Sequence, residues 1–167
     1  VLDGLTALGA AARDRSSALR IGVTGSVGKT STKEALAVCL AASGATHAST
    51  KSYNNHWGVP LTLARMPASS RYGVFEMGMS HRGEIAPLTR LVRPDIAIVT
   101  WIAPAHVEAL GSLNEIADEK GDVFSGLVND RIALVPNEAP SANRVQFAAD
   151  THAATIIRFG RDAGCEA

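Results

Sequence analysis

Residues 24–30 have the sequence Thr-Gly-Ser-Val-Gly-Lys-Thr, and they lie between an apolar run at 21–23 and a pattern typical of a helix. Glycines let the backbone turn tightly enough for several N–H groups to point at one anion, and the following helix adds its positive N-terminal end. In such loops the lysine, here Lys29, contacts the terminal phosphates of a nucleotide, and the hydroxyl of Thr30 coordinates Mg²⁺. Because the strict pattern has a glycine in place of Val23, a glycine-rich turn with a surface lysine is the alternative. We predict a phosphate-binding loop.

The composition is typical of one folded domain. The chain has 167 residues, of which 46% are hydrophobic and 19% are charged, which is enough apolar material for a core. Its 16 basic residues balance 16 acidic ones, so no overall field favours nucleic acid or an anionic membrane. Cys39 and Cys165 fit no metal or redox spacing, and Cys39 is expected in the core. We expect a cytoplasmic protein, with no signal peptide and no apolar run that crosses a bilayer.

Short apolar runs alternate with amphipathic ones along the chain, which predicts an α/β fold. The expected architecture is a P-loop-type, mostly parallel sheet with helices on both faces. The predicted strands are 20–24, 46–48, 73–76, 96–100, 132–135 and 155–159. The predicted helices are 2–16, 29–43, 59–65, 84–92, 113–127 and 142–149. Because ligands of such folds bind at the carboxyl ends of the strands, functional residues are expected directly after strands.

Polar residues do follow the third and fourth predicted strands. Glu76 ends the third strand, where phosphate-loop enzymes have a carboxylate that holds Mg²⁺; the alternative is an ordinary acidic residue. His106 lies in the loop after the fourth strand, where a second metal or a substrate phosphate would bind; the alternative is a loop histidine with satisfied hydrogen bonds. His81 follows Glu76 in a loop that contains glycine, and a turn or capping role is equally compatible with the sequence.

The predicted helix 113–127 begins with a capping box in which Ser112 and Glu115 satisfy each other's backbone. Lys120 falls in register with the apolar stripe of this helix. It therefore either extends its amine to solvent or is buried with a lowered pKa, which would make the amine neutral and nucleophilic. A neutral amine can take up CO₂ to form a carbamate, an anionic metal ligand. Three acidic neighbours lie off the stripe and are expected at the solvent-exposed surface: Asp118, Glu119 and Asp122.

Two adjacent asparagines, Asn54 and Asn55, precede the predicted helix that begins near Gly58. Paired asparagines suit a turn, which is the simpler interpretation. Their amides could also donate hydrogen bonds to a phosphate or to a substrate carbonyl, with Gly58 permitting close approach.

Four segments together resemble the central ATPase domain of the Mur ligase family: residues 24–31, 54–60, 76–85 and 105–121. They occur in the family's order and spacing, and the resemblance extends from about residue 20 to about residue 136. Within the family the chain is most similar to the ligases that add D-alanyl-D-alanine (D-Ala-D-Ala) to the UDP-N-acetylmuramoyl (UDP-MurNAc) tripeptide.

The resemblance implies an ATP site at the phosphate-binding loop. The β- and γ-phosphates would be held by Lys29 together with the neighbouring residues Gly25, Ser26, Val27, Gly28, Thr30 and Ser31. Asn55 resembles a family residue that helps to orient the phosphate, although the adjacent Asn54 leaves the choice between the two open.

The resemblance also implies two Mg²⁺ ions. Thr30 and Glu76 would bind the first ion. His106 and a carbamate formed from CO₂ on Lys120 would position the second ion against the γ-phosphate. Lys29, Lys120 and His106 are therefore the implied catalytic residues.

The implied reaction has two steps. ATP phosphorylates the tripeptide carboxylate to give an acyl phosphate, and the amine of D-Ala-D-Ala then displaces phosphate. We expect 1–167 to be a single, monomeric ATP-binding domain without the family's N-terminal UDP-sugar-binding and C-terminal ligase domains. We expect it to be unable to complete ligation alone.

Three alternatives remain open at this point. The chain could belong to another Mur-type amino acid ligase. It could be a nucleotide-dependent switch or binding module of the GTPase type, although the guanine-binding pattern Asn-Lys-x-Asp does not occur. It could also be a folded scaffold that binds no nucleotide.

Overall fold

The computed structural model describes residues 1–104, 111–129 and 131–161. Within these ranges the strands are β1 (Leu19–Thr24), β2 (Thr46–Ala48), β3 (Tyr72–Glu76), β4 (Ile96–Val99), β5 (Ile132–Pro136) and β6 (Thr155–Phe159). The α-helices are α1 (Leu2–Asp14), α2 (Lys29–Ala41), α3 (Gly58–Arg65), α4 (Ile85–Val92), α5 (Leu113–Gly121) and α6 (Ala142–His152). None of these helices has the length and apolar character needed to cross a membrane.

The six strands form one parallel sheet in the order β2-β3-β1-β4-β5-β6. The central strand β1 pairs with β3 and β4, so Val23 lies beside Glu76 and Thr24 lies beside Val99. Parallel strands end at the same edge of the sheet, and this register brings together the loop after β1 and the carboxylate at the end of β3. The predicted α/β class is confirmed.

Helices cover both faces of the sheet, but unequally. Phe75 belongs to the larger core, which packs against residues of α3, α4, α5 and α6. Its neighbour Val74 belongs to a smaller cluster, which packs against Leu36 and Leu40 of α2. Because successive residues of a strand point to opposite faces, α2 lies on the face opposite α3, α4, α5 and α6.

The predicted helix 113–127 differs most from the structure. The α-helix ends at Gly121, and the chain continues as a 3₁₀ helix, Asp122–Gly126. The tighter turn lies against α4, where the Thr89 hydroxyl donates a hydrogen bond of 2.6 Å to the carbonyl of Val123. A side chain at Gly126 would overlap Thr89, so close packing against α4 accounts for the change of helix type. The other elements agree with their predicted bounds within three residues.

The expected core position of Cys39 is wrong, because Cys39 is exposed. The buried stripe of α2 is formed by Lys33, Leu36 and Leu40. At 100° per residue, Cys39 lies about a quarter turn from the middle of that stripe. Cys165 falls outside the described residues.

Candidate active site

A cleft of about 260 Å³ opens at the carboxyl edge of the sheet. We call it the main cleft. It lies between the phosphate-binding loop, the segment before α3 and the loop after β3, and Lys120 of α5 also lines it. Five of the predicted site residues line it: Gly25, Ser26, Lys29, Asn55 and Lys120.

The phosphate-binding loop is shaped by two glycines and supported from β4. Gly25 and Gly28 have φ angles of 147° and 85°, which side chains rarely adopt, and Gly28 directly precedes α2. The Thr100 hydroxyl donates to the carbonyl of Val27 at 2.6 Å, and the Trp101 carbonyl accepts from the N–H of Ser26 at 2.7 Å. The loop is therefore fixed before any ligand binds.

Lys29 lies over this loop. Its Nζ donates to the carbonyl of Gly25 at 2.7 Å and to that of Ser26 at 3.3 Å. Burial lowers the pKa of Lys29 below its ordinary value, and the charge of Glu76 opposes that effect. Lys29 is thus a partly desolvated cation at the N-terminal end of α2, where an anion is favoured.

Glu76 and Thr30 meet as the predicted metal ligands require. The Thr30 hydroxyl donates to Oε2 of Glu76 at 3.0 Å, and Nδ2 of Asn54 donates to Oε1 at 2.8 Å. Glu76 is 1% exposed, and its backbone N–H donates to Oγ of Ser49 at 3.2 Å. A hydroxyl and a carboxylate side by side are the hard oxygen donors that Mg²⁺ prefers, so these residues fit such an ion.

Lys120 is buried, which decides between the two alternatives that its position in the apolar stripe left open. The residue is 2% exposed. Burial, and then repulsion by Lys29, lowers its pKa from 10.5 to about 8, and the charge of Glu119 opposes this shift. The neutral, nucleophilic form of the amine is therefore accessible near neutral pH.

The serine half of the predicted capping box at the start of α5 is confirmed, whereas the Glu115 carboxylate contacts the Ser112 hydroxyl in place of the Ser112 backbone N–H. The N–H of Glu115 donates to Oγ of Ser112 at 3.3 Å, and the Ser112 hydroxyl donates to Oε2 of Glu115 at 3.2 Å. The Glu115 carboxylate thus bonds to the same serine hydroxyl that accepts a hydrogen bond from the Glu115 N–H. This cap fixes the first turn of the helix that carries Lys120.

Glu119 corrects the expectation that the acidic residues beside Lys120 are solvent-exposed. It is 6% exposed, and its carboxylate accepts hydrogen bonds from the N–H groups of Gly83 at 2.7 Å and Ile85 at 2.9 Å. These N–H groups lie at the start of α4, where a carboxylate satisfies free donors and the helix dipole. Glu119 therefore joins the loop after β3 to the helix of Lys120. The helical pattern of α5 carries no signal for this distant partner.

Lys33 is a second buried lysine, and sequence reasoning missed it. Its side chain in α2 is fully buried, and Nζ donates to the carbonyls of Ser49 at 2.8 Å and Lys51 at 2.9 Å. It also pairs with the exposed Glu34 at 2.7 Å. Lys33 thereby holds the segment that leads to the asparagines at the main cleft. Its position one turn after Lys29, in the stripe of Leu36 and Leu40, was the available signal.

The remaining predicted residues have different surroundings. Asn55 lines the main cleft, but its Oδ1 accepts from the N–H groups of Trp57 and Gly58 at 3.1 and 3.0 Å. Its predicted contact with phosphate stays a prediction, and Asn54 is the asparagine that holds Glu76. The side chain of His81 is 76% exposed. His106 belongs to residues 105–110, which lie outside the described part of the chain.

The charges of the main cleft favour a polyanion. Lys29 and Lys120 line it, and Glu84 is the only acidic residue among its described lining. The Ser26 hydroxyl, which also lines the cleft, is buried without a hydrogen-bond partner within the described ranges. A phosphate group would satisfy that hydroxyl. Within the described part of the chain, no group of three or more His, Cys, Asp or Glu side chains forms a candidate metal cluster, at the main cleft or away from it.

Comparison with known proteins agrees with this geometry. The family model for the Mur ligase middle domain matches residues 23–167. The UDP-N-acetylmuramoyl-tripeptide--D-alanyl-D-alanine ligase of Escherichia coli is 43% identical over 128 residues, which are 77% of this chain and 28% of the relative. A crystal structure of MurF from Acinetobacter baumannii superposes with a TM-score of 0.91 and 31% identity, covering 99% of this chain and 35% of that one. MurF from Thermotoga maritima in complex with ADP gives a TM-score of 0.87 and 26% identity, covering 97% and 37%.

The chain thus spans about a quarter of the length of the curated relatives that it matches. The family model nevertheless covers most of the chain, including the phosphate-binding loop, Glu76 and Lys120. This chain therefore belongs to the Mur ligase family and carries its middle domain.

Proposed function

We propose that this chain is the nucleotide-binding core of an ATP-dependent ligase that adds D-Ala-D-Ala to UDP-MurNAc-tripeptide during peptidoglycan precursor synthesis in the cytoplasm. The observation that carries the proposal is that Lys29 and Lys120 line one cleft, and that Asn54 of the same cleft holds the Thr30–Glu76 pair by its hydrogen bond to Glu76. Two comparisons support the proposal. The similar Escherichia coli protein is named as this ligase, and the similar Thermotoga maritima protein has a structure in complex with ADP.

The phosphate-binding loop would hold the β- and γ-phosphates of ATP. The N–H groups of residues 25–31, at the N-terminal end of α2, supply fixed hydrogen-bond donors. Lys29 would replace its hydrogen bonds to the loop carbonyls with hydrogen bonds to phosphate oxygens. Little reorganisation is needed, because Thr100 and Trp101 already hold the loop. Fixed donors of this kind lower the free-energy barrier to phosphoryl transfer, because they stabilise the charge that develops on the transferred group in the transition state.

Thr30 and Glu76 would hold one Mg²⁺, with Asn54 and Ser49 keeping the carboxylate in place. When bound, Mg²⁺ neutralises negative charge on the phosphates and leaves them open to attack by a carboxylate. A second Mg²⁺ would be held by His106 and by Lys120 as its carbamate.

Lys120 would acquire the carbamate through its neutral amine. The amine nitrogen attacks the carbon of CO₂, one C=O bond opens to a carboxylate oxygen, and the nitrogen loses a proton to solvent. The lowered pKa of Lys120 favours this step, because only the unprotonated amine has the free electron pair. The product is an anion in the place of a buried cation.

Ligation would then proceed through an acyl phosphate. The acceptor carboxylate attacks the γ-phosphorus and ADP leaves; the amine of D-Ala-D-Ala attacks the acyl carbon, and phosphate leaves with loss of one proton. The central physical difficulty is that two anions must meet, and cationic groups at the main cleft offset their repulsion. We propose that 1–167 forms one monomeric ATP-binding domain and that sugar binding and closure over ATP belong to other domains.

The first test measures nucleotide binding by this chain. We expect MgATP to bind in preference to MgGTP, and Lys29→Ala to weaken MgATP binding by at least about tenfold. Lys51→Gln, which changes an exposed lysine, should bind like the wild type. Preference for GTP would support the switch module, and binding of neither nucleotide would support the scaffold.

The second test measures ligation by the full-length protein, through phosphate release with UDP-MurNAc-tripeptide. We expect turnover with D-Ala-D-Ala and little with a single amino acid. Turnover with a single amino acid in place of the dipeptide would instead assign the chain to another Mur-type ligase.

A further inference from the structure

The second step of the proposed reaction needs a base. When the amine of D-Ala-D-Ala attacks the acyl phosphate, its nitrogen becomes positively charged and must lose a proton as phosphate leaves. Transfer of such a proton to a positioned side chain contributes about 10²–10⁴-fold to the rate of many enzymes. A side chain that can accept this proton is therefore expected beside the reacting atoms, at the main cleft.

His56 lines the main cleft where the cleft meets an adjoining cavity of about 250 Å³. The two cavities share four lining residues: Asn55, His56, Gly78 and Glu84. Among the described residues, the wall of the adjoining cavity includes none from the phosphate-binding loop. His56 thus lies towards the end of the cleft away from the phosphates. Because the residue is exposed, a substrate amine can reach it from solvent.

The turn that carries His56 is fixed by contacts within the segment before α3. Oδ1 of Asn55 accepts hydrogen bonds from the N–H groups of Trp57 at 3.1 Å and Gly58 at 3.0 Å. Gly58 is packed so closely that a side chain there would overlap the backbone of Tyr53. The rings of His56 and Trp57 lie next to each other, with centroids 6.1 Å apart. The backbone of His56 is therefore held in place before a substrate binds.

The other titratable side chains in the described lining of the main cleft are Lys29, Glu84 and Lys120. In the proposed function Lys29 contacts the phosphates as a cation, and Lys120 carries the carbamate. His106, which lies outside the described residues, is assigned to the second Mg²⁺. His56 is the only imidazole in the described lining of the two cavities. Imidazole is the side chain whose ordinary pKa suits proton transfer near neutral pH.

Glu84 is the main alternative, because it lines both cavities as His56 does. Its Oε2 accepts hydrogen bonds from the N–H groups of Ser80 at 2.6 Å and His81 at 3.2 Å. Partial burial alone would raise the pKa of Glu84, but these hydrogen bonds outweigh that effect and the pKa lies below its ordinary value. A carboxylate that is harder to protonate is a poorer base, so Glu84 is less suited to the task than an imidazole.

Resting on the proposed function, we infer that His56 is the general base of the second step and accepts a proton from the amine of D-Ala-D-Ala. The amine nitrogen uses its electron pair to form the bond to the acyl carbon, and a ring nitrogen of His56 takes one proton from it. The carbonyl is restored as the bond between the acyl carbon and the phosphate oxygen breaks, and phosphate leaves with that electron pair. The imidazolium then gives its proton to solvent.

The first step does not need this base. The acceptor carboxylate attacks the γ-phosphorus without losing a proton, so the acyl phosphate forms whether or not His56 is present. His56 should therefore affect only the transfer to an amine. This difference between the two steps allows its role to be separated from general support of the site.

The test compares the two steps in the full-length protein, with ATP and UDP-MurNAc-tripeptide. Without D-Ala-D-Ala, added hydroxylamine captures the acyl phosphate as a hydroxamate and so reports the first step. His56→Gln should form the hydroxamate at the wild-type rate. With D-Ala-D-Ala, the same variant should lose about a hundredfold in kcat/KM for the dipeptide, the scale of one general base.

The pH profile gives a readout that a structural role would not change. In the wild type, kcat/KM for D-Ala-D-Ala should fall at acid pH through two protonations, one on the substrate amine and one on His56. In His56→Gln only the protonation of the amine should remain, so the fall should be less steep. Added imidazole should restore part of the activity of His56→Ala, because it can occupy the space of the missing ring.

His81→Gln is the matched control. His81 is an exposed histidine in the loop after β3, and it is absent from the described lining of both cavities. The variant should keep the wild-type kcat/KM for D-Ala-D-Ala and the wild-type pH profile. Added imidazole should not change its activity.

Each remaining outcome overturns the inference. An unchanged kcat/KM for D-Ala-D-Ala in His56→Gln, or a pH profile that keeps both protonations, excludes His56 as the base and leaves the proposed function intact. Equal losses of hydroxamate formation and of ligation show that His56 only supports the site. A wild type that forms neither hydroxamate nor ligated product rejects the proposed function, and the inference fails with it.

Discussion

Two lysines are buried in helices on opposite faces of the sheet, Lys33 in α2 and Lys120 in α5, and they differ in what surrounds their amines. Lys33 in α2 donates to two backbone carbonyls and pairs with Glu34. The Lys120 amine in α5 makes no hydrogen bond within the part of the chain that the structure describes, and repulsion by Lys29 adds to the effect of burial on its pKa. A buried lysine with partners holds a segment in place. A buried lysine without hydrogen-bond partners is suited to act as a nucleophile, because burial disfavours the charged form of its amine.

The largest effect should come from removing the Lys120 amine. In the full-length protein, Lys120→Met should lower kcat by about a thousandfold, the scale observed when a group that stabilises the transition state is lost. Added bicarbonate should not restore activity, because no amine remains to take up CO₂. Phosphate release measures the rate. Full activity of this variant would remove Lys120 from the mechanism.

Lys33→Met should act on stability instead. It leaves the carbonyls of Ser49 and Lys51 buried without their donor, which should cost about 3 kcal/mol in the free energy of unfolding. Urea unfolding of this chain measures the effect. Glu34→Gln is the control, and because Glu34 is exposed it should change stability by less than about 1 kcal/mol. A Lys33→Met variant as stable as the wild type would show that the ammonium is not needed to hold residues 49–51.

The third effect is a pH dependence to which Lys120 should contribute strongly, in the same direction as Lys29, whose pKa is also lowered. Its pKa is about 8 in the folded protein and 10.5 ordinarily, so the unfolded chain binds more protons between these values. Stability should therefore rise with pH across this window, by about 2 kcal/mol between pH 7 and pH 9.5 from this residue. Unfolding in CO₂-free buffer measures it. Lys120→Met should lose this increment and Lys33→Met should retain it. An equal rise in all three proteins would contradict the lowered pKa.

The fold and part of the site could be predicted from the sequence, because both depend on local patterns. Alternating apolar runs place the strands, and the phosphate-binding loop is a local motif between β1 and α2. Lys120 was predicted to be unusual because it lies in the apolar stripe of its own helix. The Thr30–Glu76 pair could be expected because both follow strands that end at the same edge of the sheet.

The parts that could not be predicted depend on contacts between distant segments. The partners of Glu119 lie at the start of α4, and those of Lys33 lie after β2, so neither helix reveals them through its own periodicity. The change to a 3₁₀ helix at Asp122 likewise depends on packing against Thr89. The cavity beside the main cleft that Gly83, Pro87 and Leu88 line likewise arises only when the loop after β3 and the segment before α3 are brought together.

The smallest expected effect on the difference between the two lysines comes from substituting Glu119. Its charge is the nearby one that favours the protonated form of Lys120. Glu119→Gln should lower the pKa of Lys120 further, so the rise of stability with pH should begin at lower pH. The weaker cap on α4 should cost about 1 kcal/mol at neutral pH. Asp118→Asn, which changes an exposed carboxylate on the same helix, should leave the onset of that rise unchanged. If the two variants had the same pH profile, attraction by Glu119 would have no measurable part in setting the charge of Lys120, and burial and Lys29 would be sufficient to account for it.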